Sequence, residues 1–296
     1  MFNERGRPAK KPRVALAKKQ SSQKSQPSKP VLTQMFLATA TSLRTCPSCQ
    51  LSYTRGAPDD ETLHKSHCAR VKSGMEWGKE EARFEGKGVQ VVKERVLLKG
   101  KQERGRIVAV RADIGGKVGA KLTTMLDTIN RNLSSPDLPQ SVLSASKAYF
   151  FLLPSTSPTT TREKIVGCVI AQRISTAMAI VRSPSDSTAG SDPSSQGIPK
   201  DNTADSEEAP LCVDGHALYC SPKQLPTLLG IPRVFVAATY RRRGVASALL
   251  DAATETFLHG CKLDPANGDV AFSQPTGDGR GLMEHWGRGG ARIYQE

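Results

Sequence analysis

The chain has 296 residues, 38% of them apolar, and a formal net charge of +14. That length suits one domain of moderate size, a smaller module and some disorder, with a core too small to span the whole chain. No run approaches the ~20 apolar residues of a membrane helix, and the start lacks the charged-then-apolar pattern of a secretory signal, so the chain reads as soluble and intracellular, with no membrane partner.

In chain order, residues 1–30 come first, with nine Lys/Arg against one acid, Glu4: a net +8 that is more than half of the total. With almost no large apolar residues they cannot offset their ordering entropy, and they read as a disordered basic tail. Lys10-Lys11-Pro12-Arg13 suits nuclear import or contact with phosphate. An isolated apolar patch, Val31 to Leu37, reads as a docking peptide or a lead-in strand.

Residues 44–70 hold a Cys/His cluster. Three of the seven cysteines, Cys46, Cys49 and Cys68, fall within 23 residues, with His64 between them. Two thiolates two residues apart can grip one ion, and a His and a Cys at i, i+4 share a helix face. Four such ligands close a tetrahedral shell, so the expected zinc is structural. His67 is an alternative to Cys68, since an i, i+3 pair also shares a face. Clustered cysteines in an intracellular chain point to metal rather than disulfides. The module is assigned to 31–80. Lys65, Arg70 and Lys72 are the bases near its helix, too few to argue for DNA recognition by a single finger.

Residues 81–296 are expected to form one α/β domain. The β-branched runs at 89–97 and 106–110 read as strands. Val118, Leu122, Met125, Leu126, Ile129 and Leu133 make one apolar helix face, stopped by Pro136 and Pro139. Residues 147–153 and 164–171 read as strands joined by a Ser/Thr-rich turn. Residues 183–210 are rich in Ser, Asp, Pro and Gly and read as a disordered insertion within the domain. A strand is predicted over 233–238, a helix over 245–257 and a short strand over 270–273.

Between the predicted strand at 233 and the helix at 245 stands Arg241-Arg242-Arg243-Gly244-Val245-Ala246, of the form Arg-x-x-Gly-x-Ala. Free N–H groups at a helix N-terminus, with arginines around them and little Cβ bulk at Gly244 and Ala246, are what a pyrophosphate needs. A basic turn before a surface helix has the same spacing; the flanking strand and helix favour the phosphate site.

These residues together resemble a family. Cys46-Pro-Ser-Cys49 with Pro58-Asp-Asp-Glu-Thr-Leu-His64, the strand Cys168 to Ala171, Ile231-Pro-Arg-Val-Phe-Val before the Arg-rich loop, and Ala271-Phe-Ser-Gln-Pro-Thr276 are similar to the establishment-of-cohesion acetyltransferases of the GNAT superfamily. The resemblance covers about 31–80 and 145–296. It implies a GNAT-type α/β fold, a mixed central sheet flanked by helices, behind a zinc finger. It implies acetyl-CoA as donor and lysines of cohesin's SMC-type ATPase head as acceptors, in the nucleus and on chromatin. Coenzyme contacts then fall on Val234, Phe235, Val236, Arg241, Arg242, Arg243, Gly244, Val245 and Ala246, with an oxyanion donor among the N–H groups of 234–238. The family's helix acid falls on Asp251. A second acid falls on Gln274 and a serine before the coenzyme strand falls on Pro232, leaving Asp278 as a nearby substitute base. Residues 31–40, with Gln34-Met35-Phe36-Leu37, are a candidate contact with the replication clamp, although the usual pair of aromatics is missing. The competing readings are a GNAT enzyme with another acceptor and a non-enzymatic zinc-finger adaptor.

Overall fold

A computed structural model of the chain describes residues 42–100, 102–155, 162–181, 211–214 and 218–296. The basic tail, the patch at 31–40 and the insertion at 183–210 lie outside the described residues.

The described part opens with a hairpin of β1 (Ser42–Thr45) and β2 (Ser52–Arg55), followed by the helix α1 (Pro58–Ser73). Pro58 at the first turn suits a helix start, where a missing N–H costs nothing. The acids behind it reach back to the hairpin, Thr54 N donating to Asp60 Oδ2 at 3.1 Å and Gly56 N to Glu61 Oε1 at 3.0 Å. Gly74 ends the helix, and β3 (Met75–Trp77) follows at once.

A large mixed sheet organises the rest. Its order is β4 (Val89–Leu97), β5 (Arg104–Arg111), β6 (Ser146–Pro154), β7 (Glu163–Arg173), β11 (Leu229–Val236), β12 (Val270–Phe272), β13 (Arg292–Ile293), β8 (Thr176–Val181), β10 (Leu218–Pro226) and β9 (Leu211–Asp214). Among the described strands, only the β11–β12 and β12–β13 pairs are parallel. In β6, Ala148 through Leu153 are all buried, the continuous apolar run of a strand covered on both faces. Ala148, Phe150 and Leu152 face the helix α3 (Gly116–Leu133), against Val118, Leu122, Met125 and Ile129. Tyr149, Phe151 and Leu153 face the other side, where α5 (Val245–Thr256) lays down Val245, Leu249 and Ala253. Gly167 in β7 permits that approach, because a Cβ there would stand 2.6 Å from Val245 Cγ1 and 2.9 Å from Leu249 Cδ1.

The strands and helices expected from 89 to 173 are present, each within a few residues of its predicted span. Two short helices, α2 (Lys79–Ala82) and α4 (Gln140–Ser144), and the strands β8, β9, β10 and β13 were not anticipated, nor was α6 (Gly277–Gly287). The strand expected over 233–238 begins earlier, at Leu229, and ends at Val236, so Pro232 lies inside it rather than before it. The register against β7 shifts between Gly230 and Arg233, and this bulge is where a strand tolerates a residue with no N–H to donate. Residues Ala238–Tyr240 turn into a short 3-10 segment instead of extending the strand.

The finger segment and the sheet are joined. β3 pairs with Glu163 to Ile165 of β7, on the edge that β11 occupies from Gly167 onward. Thr239 Oγ1 donates to the Lys72 carbonyl of α1 at 3.0 Å.

Candidate functional site

Two sites take shape, one on each side of that junction. In the first, the Sγ atoms of Cys46, Cys49 and Cys68 and a ring nitrogen of His64 all lie within 4.8 Å of one another. The β1–β2 connection makes the knuckle: Cys46 N donates to Leu51 O at 3.0 Å, Gln50 N donates to Cys46 O at 2.8 Å, and Gln50 takes a left-handed φ of 57° to close it. Tyr53 of β2 stacks flat on His64, 4.1 Å between ring centres, and fixes the imidazole plane. His64 Nε2 is buried and has no hydrogen-bond partner among the described residues.

Burial raises the thiol pKa values here, but at Cys46 hydrogen bonds from the Cys49 and Ser48 backbone and from His64 outweigh it and pull the thiol down to about 6. Cys49 is pushed up to about 11 by burial and by the neighbouring sulfurs, and Cys68 is raised for the same reasons. Three thiolates this close repel one another unless a cation sits between them, and three thiolates with one imidazole are a zinc donor set. His67 stands outside the cluster. It is fully buried, and both its nitrogens lack partners among the described residues. Burial first, then Arg70 and Arg131, hold its pKa below the ordinary value, so it packs as a neutral ring.

The second site is the opening between β11 and β12. The two strands pair only from Leu229/Val270 to Ile231/Phe272. Beyond that point β11 runs on alone on this side. Ala237 N donates to Val166 O of β7 at 2.9 Å, so strand alternation turns the N–H groups of Val234 and Val236 the other way, into the opening. Phe235 turns its ring into the core on the α3 side and its backbone toward β7, so of the three predicted strand contacts only Val234 and Val236 face the gap.

Past the strand, the Arg-rich loop folds under the N-terminus of α5. Arg242 has φ 61° and Gly244, the residue capping α5, has φ 83°. The first bond of the helix runs from Ala248 N to Gly244 O, which leaves the N–H groups of Val245, Ala246 and Ser247 at its open end. The Val245 side chain is buried against Gly167, while Ala246 is half-buried at the helix start.

The three arginines differ. Arg241 donates to the Val236 carbonyl and pairs with Asp278 Oδ2, both at 3.3 Å. Arg243 lies 3.8 Å from Glu103 Oε2 and over the Tyr240 ring. Arg242 is exposed and makes no ion pair with a described residue.

The predicted acids also separate. Asp251 sits on α5 about two turns beyond Gly244, and its Oδ1 accepts a hydrogen bond of 2.8 Å from Trp286 Nε1 of α6. Asp278, in the first turn of α6, is bound to the loop through Arg241, and its side chain is 91% exposed. Residue patterns missed Trp286, since an indole 35 positions away carries no local signal. They also missed Ser273, whose hydroxyl donates to the Pro232 carbonyl at 2.9 Å and so restores a hydroxyl beside that proline.

Comparison with known proteins points to one family. A family model described as ESCO1/2 acetyl-transferase matches residues 225–294, which hold β11, the Arg-rich loop, α5 and the final strands. A second, described as the zinc-finger of acetyl-transferase ESCO, matches residues 34–70. In both segments the chain is similar to the ESCO/Eco1 acetyltransferase family. Human N-acetyltransferase ESCO2 is 26% identical over 235 residues, 79% of this chain and 32% of that protein. The Schizosaccharomyces pombe N-acetyltransferase eso1 is 27% identical over 87% of this chain and 25% of that protein. The Yarrowia lipolytica N-acetyltransferase ECO1 is 24% identical over 90% of this chain and 75% of that protein. The chain thus spans a quarter to a third of the human and fission-yeast family members. The solved acetyltransferase domain of xEco2, bound to a lysine–CoA conjugate, is 23% identical with a TM-score of 0.50, covering 70% of this chain and 98% of that domain. The fold is therefore the family's mixed α/β acetyltransferase fold.

Proposed function

We propose that this chain transfers the acetyl group of acetyl-CoA to a protein lysine, and that its acceptor is the SMC-type ATPase head of cohesin. The observation that carries the reading is the opening between β11 and β12. It joins two inward N–H groups, Val234 and Val236, to a helix N-terminus ringed by arginines. The phosphates of the coenzyme fit the open end of α5, where N–H groups and helix dipole favour an anion. Its thioester then lies along β11, with the Val234 or Val236 N–H as oxyanion donor.

A lysine amine is mostly protonated at neutral pH, with an ordinary pKa of about 10.4. Asp251 is the group we assign to take the proton, directly or through water. Trp286 holds one of its oxygens, which leaves the other to face the acceptor. The free amine attacks the thioester carbonyl carbon, the C–S bond breaks, and the coenzyme leaves as a thiolate that takes up a proton. Asp278 serves the loop through Arg241 and is the weaker candidate for the base. The names of the relatives and the lysine–CoA conjugate bound to xEco2 support the same chemistry.

We assign one structural zinc to Cys46, Cys49, His64 and Cys68, in a module at 31–80 ahead of a catalytic domain at 81–296. Zinc there supplies no chemistry to the transfer; it fixes the hairpin against α1. Nuclear location and chromatin association go with this function and with the basic segment at 1–30. Contact with the replication clamp through 31–40 lies outside the described residues.

Incubating the purified chain with labelled acetyl-CoA and a recombinant cohesin SMC-type head tests the reading. We expect label on lysines of the head, and far slower labelling when Asp251→Asn replaces the parent. Label on a histone mixture with none on the head would reassign the acceptor, and no transfer to either would refute the enzyme.

A further inference from the structure

The β4–β5 hairpin folds over the Arg-rich loop. Leu98, at the hairpin's end, is buried in the same cluster as Val245 and Leu249. The next residue, Lys99, donates its amide to the Arg243 carbonyl at 3.0 Å. Its side chain then crosses Gly244. The Cγ, Cδ and Cε atoms lie 3.5–3.6 Å from where a Cβ of Gly244 would stand. Glu103, across the hairpin, lies 3.8 Å from Arg243 and turns that arginine back toward the hairpin. The side chain of Lys99 is exposed, and its ammonium has no ion pair or hydrogen bond with a described residue.

This is an unfavourable place for an unneutralised cation. The N-terminus of a helix carries a partial positive charge and favours acids, and α5 has none in its first turn. Lys99 and Arg242 instead add positive charge at that end. Glu103 and Asp278 pair with Arg243 and Arg241, whereas no described acid pairs with Lys99 or Arg242.

We propose that Lys99 is a coenzyme-binding residue, and that the β4–β5 hairpin is a third wall of the phosphate cradle beside the Arg-rich loop and the helix start. The inference rests on the coenzyme reading above. The ligand chemistry is a phosphate of coenzyme A, which has two sources: the pyrophosphate and the 3′-phosphate. Arg243 and Arg241 hold the loop in shape, and Lys99 and Arg242 carry the charge that the phosphates meet.

The test is calorimetric affinity for coenzyme A and for 3′-dephospho-coenzyme A, at low ionic strength, with the parent, Lys99→Ala, Lys99→Gln and Lys99→Arg. The substitutions leave the amide bond to Arg243 in place, and the exposed side chain makes their melting temperatures equal to the parent's. We expect Ala and Gln to weaken coenzyme A binding by about 3- to 30-fold, and Arg to stay within about twofold. A loss that disappears with the dephospho compound assigns Lys99 to the 3′-phosphate. A loss equal for both ligands assigns it to the pyrophosphate. Parent-like affinity in both Ala and Gln would overturn the inference while the coenzyme reading stands. A parent that binds neither ligand would overturn both.

Discussion

At the scale of single residues, Asp251 and Gly244 have different jobs, and substitutions should separate them. Asp251 lies about two helical turns from the loop and touches Trp286, not the Arg-rich segment. Asp251→Asn keeps an oxygen to accept the indole N–H and removes only the proton acceptor. Acetyl-CoA affinity should stay within about twofold of the parent while turnover falls by about 10²–10⁴-fold. Trp286→Phe removes the hydrogen bond that aims the carboxylate. It should lower turnover less and leave affinity alone. Equal turnover in Asp251→Asn and parent would pass the proton to another group. Asp251 is named only through the family resemblance, which places an acid in the helix after the Arg-rich loop. Trp286 and Ser273 were not legible in the sequence, because their roles come from α6 and β12 packing back on α5 and β11 from a distance in sequence.

At the scale of elements, the finger is more closely tied to the catalytic domain than its sequence spacing suggests. The Cys and His positions mark a self-contained module. The Thr239–Lys72 bond links the end of α1 to the residues just before the Arg-rich loop, and β3, which follows α1, pairs with the start of β7. Cys46→Ser should lose about one zinc per chain by metal analysis, while His67→Ala, which changes a buried ring outside the cluster, keeps it but lowers stability. Removing the zinc should also weaken acetyl-CoA binding, since α1 supports the 3-10 turn that carries the loop. Zinc retained in full by Cys46→Ser would contradict the ligand assignment. The long apolar strands and the amphipathic α3 were readable because burial on known faces imposes a period. Strands β8, β10 and β13 were not, because they are short, polar or flank the compositionally biased segment 183–210.

At the scale of the whole molecule, stability depends in part on charges placed between layers. Glu81 of α2 accepts from Gly78 N at 2.8 Å and pairs with Lys121 of α3 at 3.0 Å. Burial raises its pKa, but the Lys121 and backbone contacts outweigh that and hold it below the usual carboxylate value. A depressed folded pKa means stability present above the unfolded value of about 4.3 and lost as pH falls through the folded one. Melting temperature should therefore fall on acidification below about pH 5, and Glu81→Gln should lower it at neutral pH and flatten that acid limb. An acid limb unchanged in Glu81→Gln would remove this pair from the account.

The central claim is that the Arg241–Ala246 loop and the start of α5 hold the coenzyme. Gly244 tests it most directly, because its φ of 83° admits few residues and a Cβ there would stand in ordinary contact with the Lys99 side chain, 3.5–3.6 Å away. Asp and Asn are the side chains that best tolerate a left-handed backbone, and they differ only in charge. Titration of acetyl-CoA into the parent, Gly244→Asn and Gly244→Asp, each checked for an unchanged melting temperature, isolates that charge. The account predicts weaker binding in Gly244→Asp by about tenfold to several hundredfold, with Gly244→Asn in between. A folded Gly244→Asp that binds acetyl-CoA as tightly as the parent would contradict it.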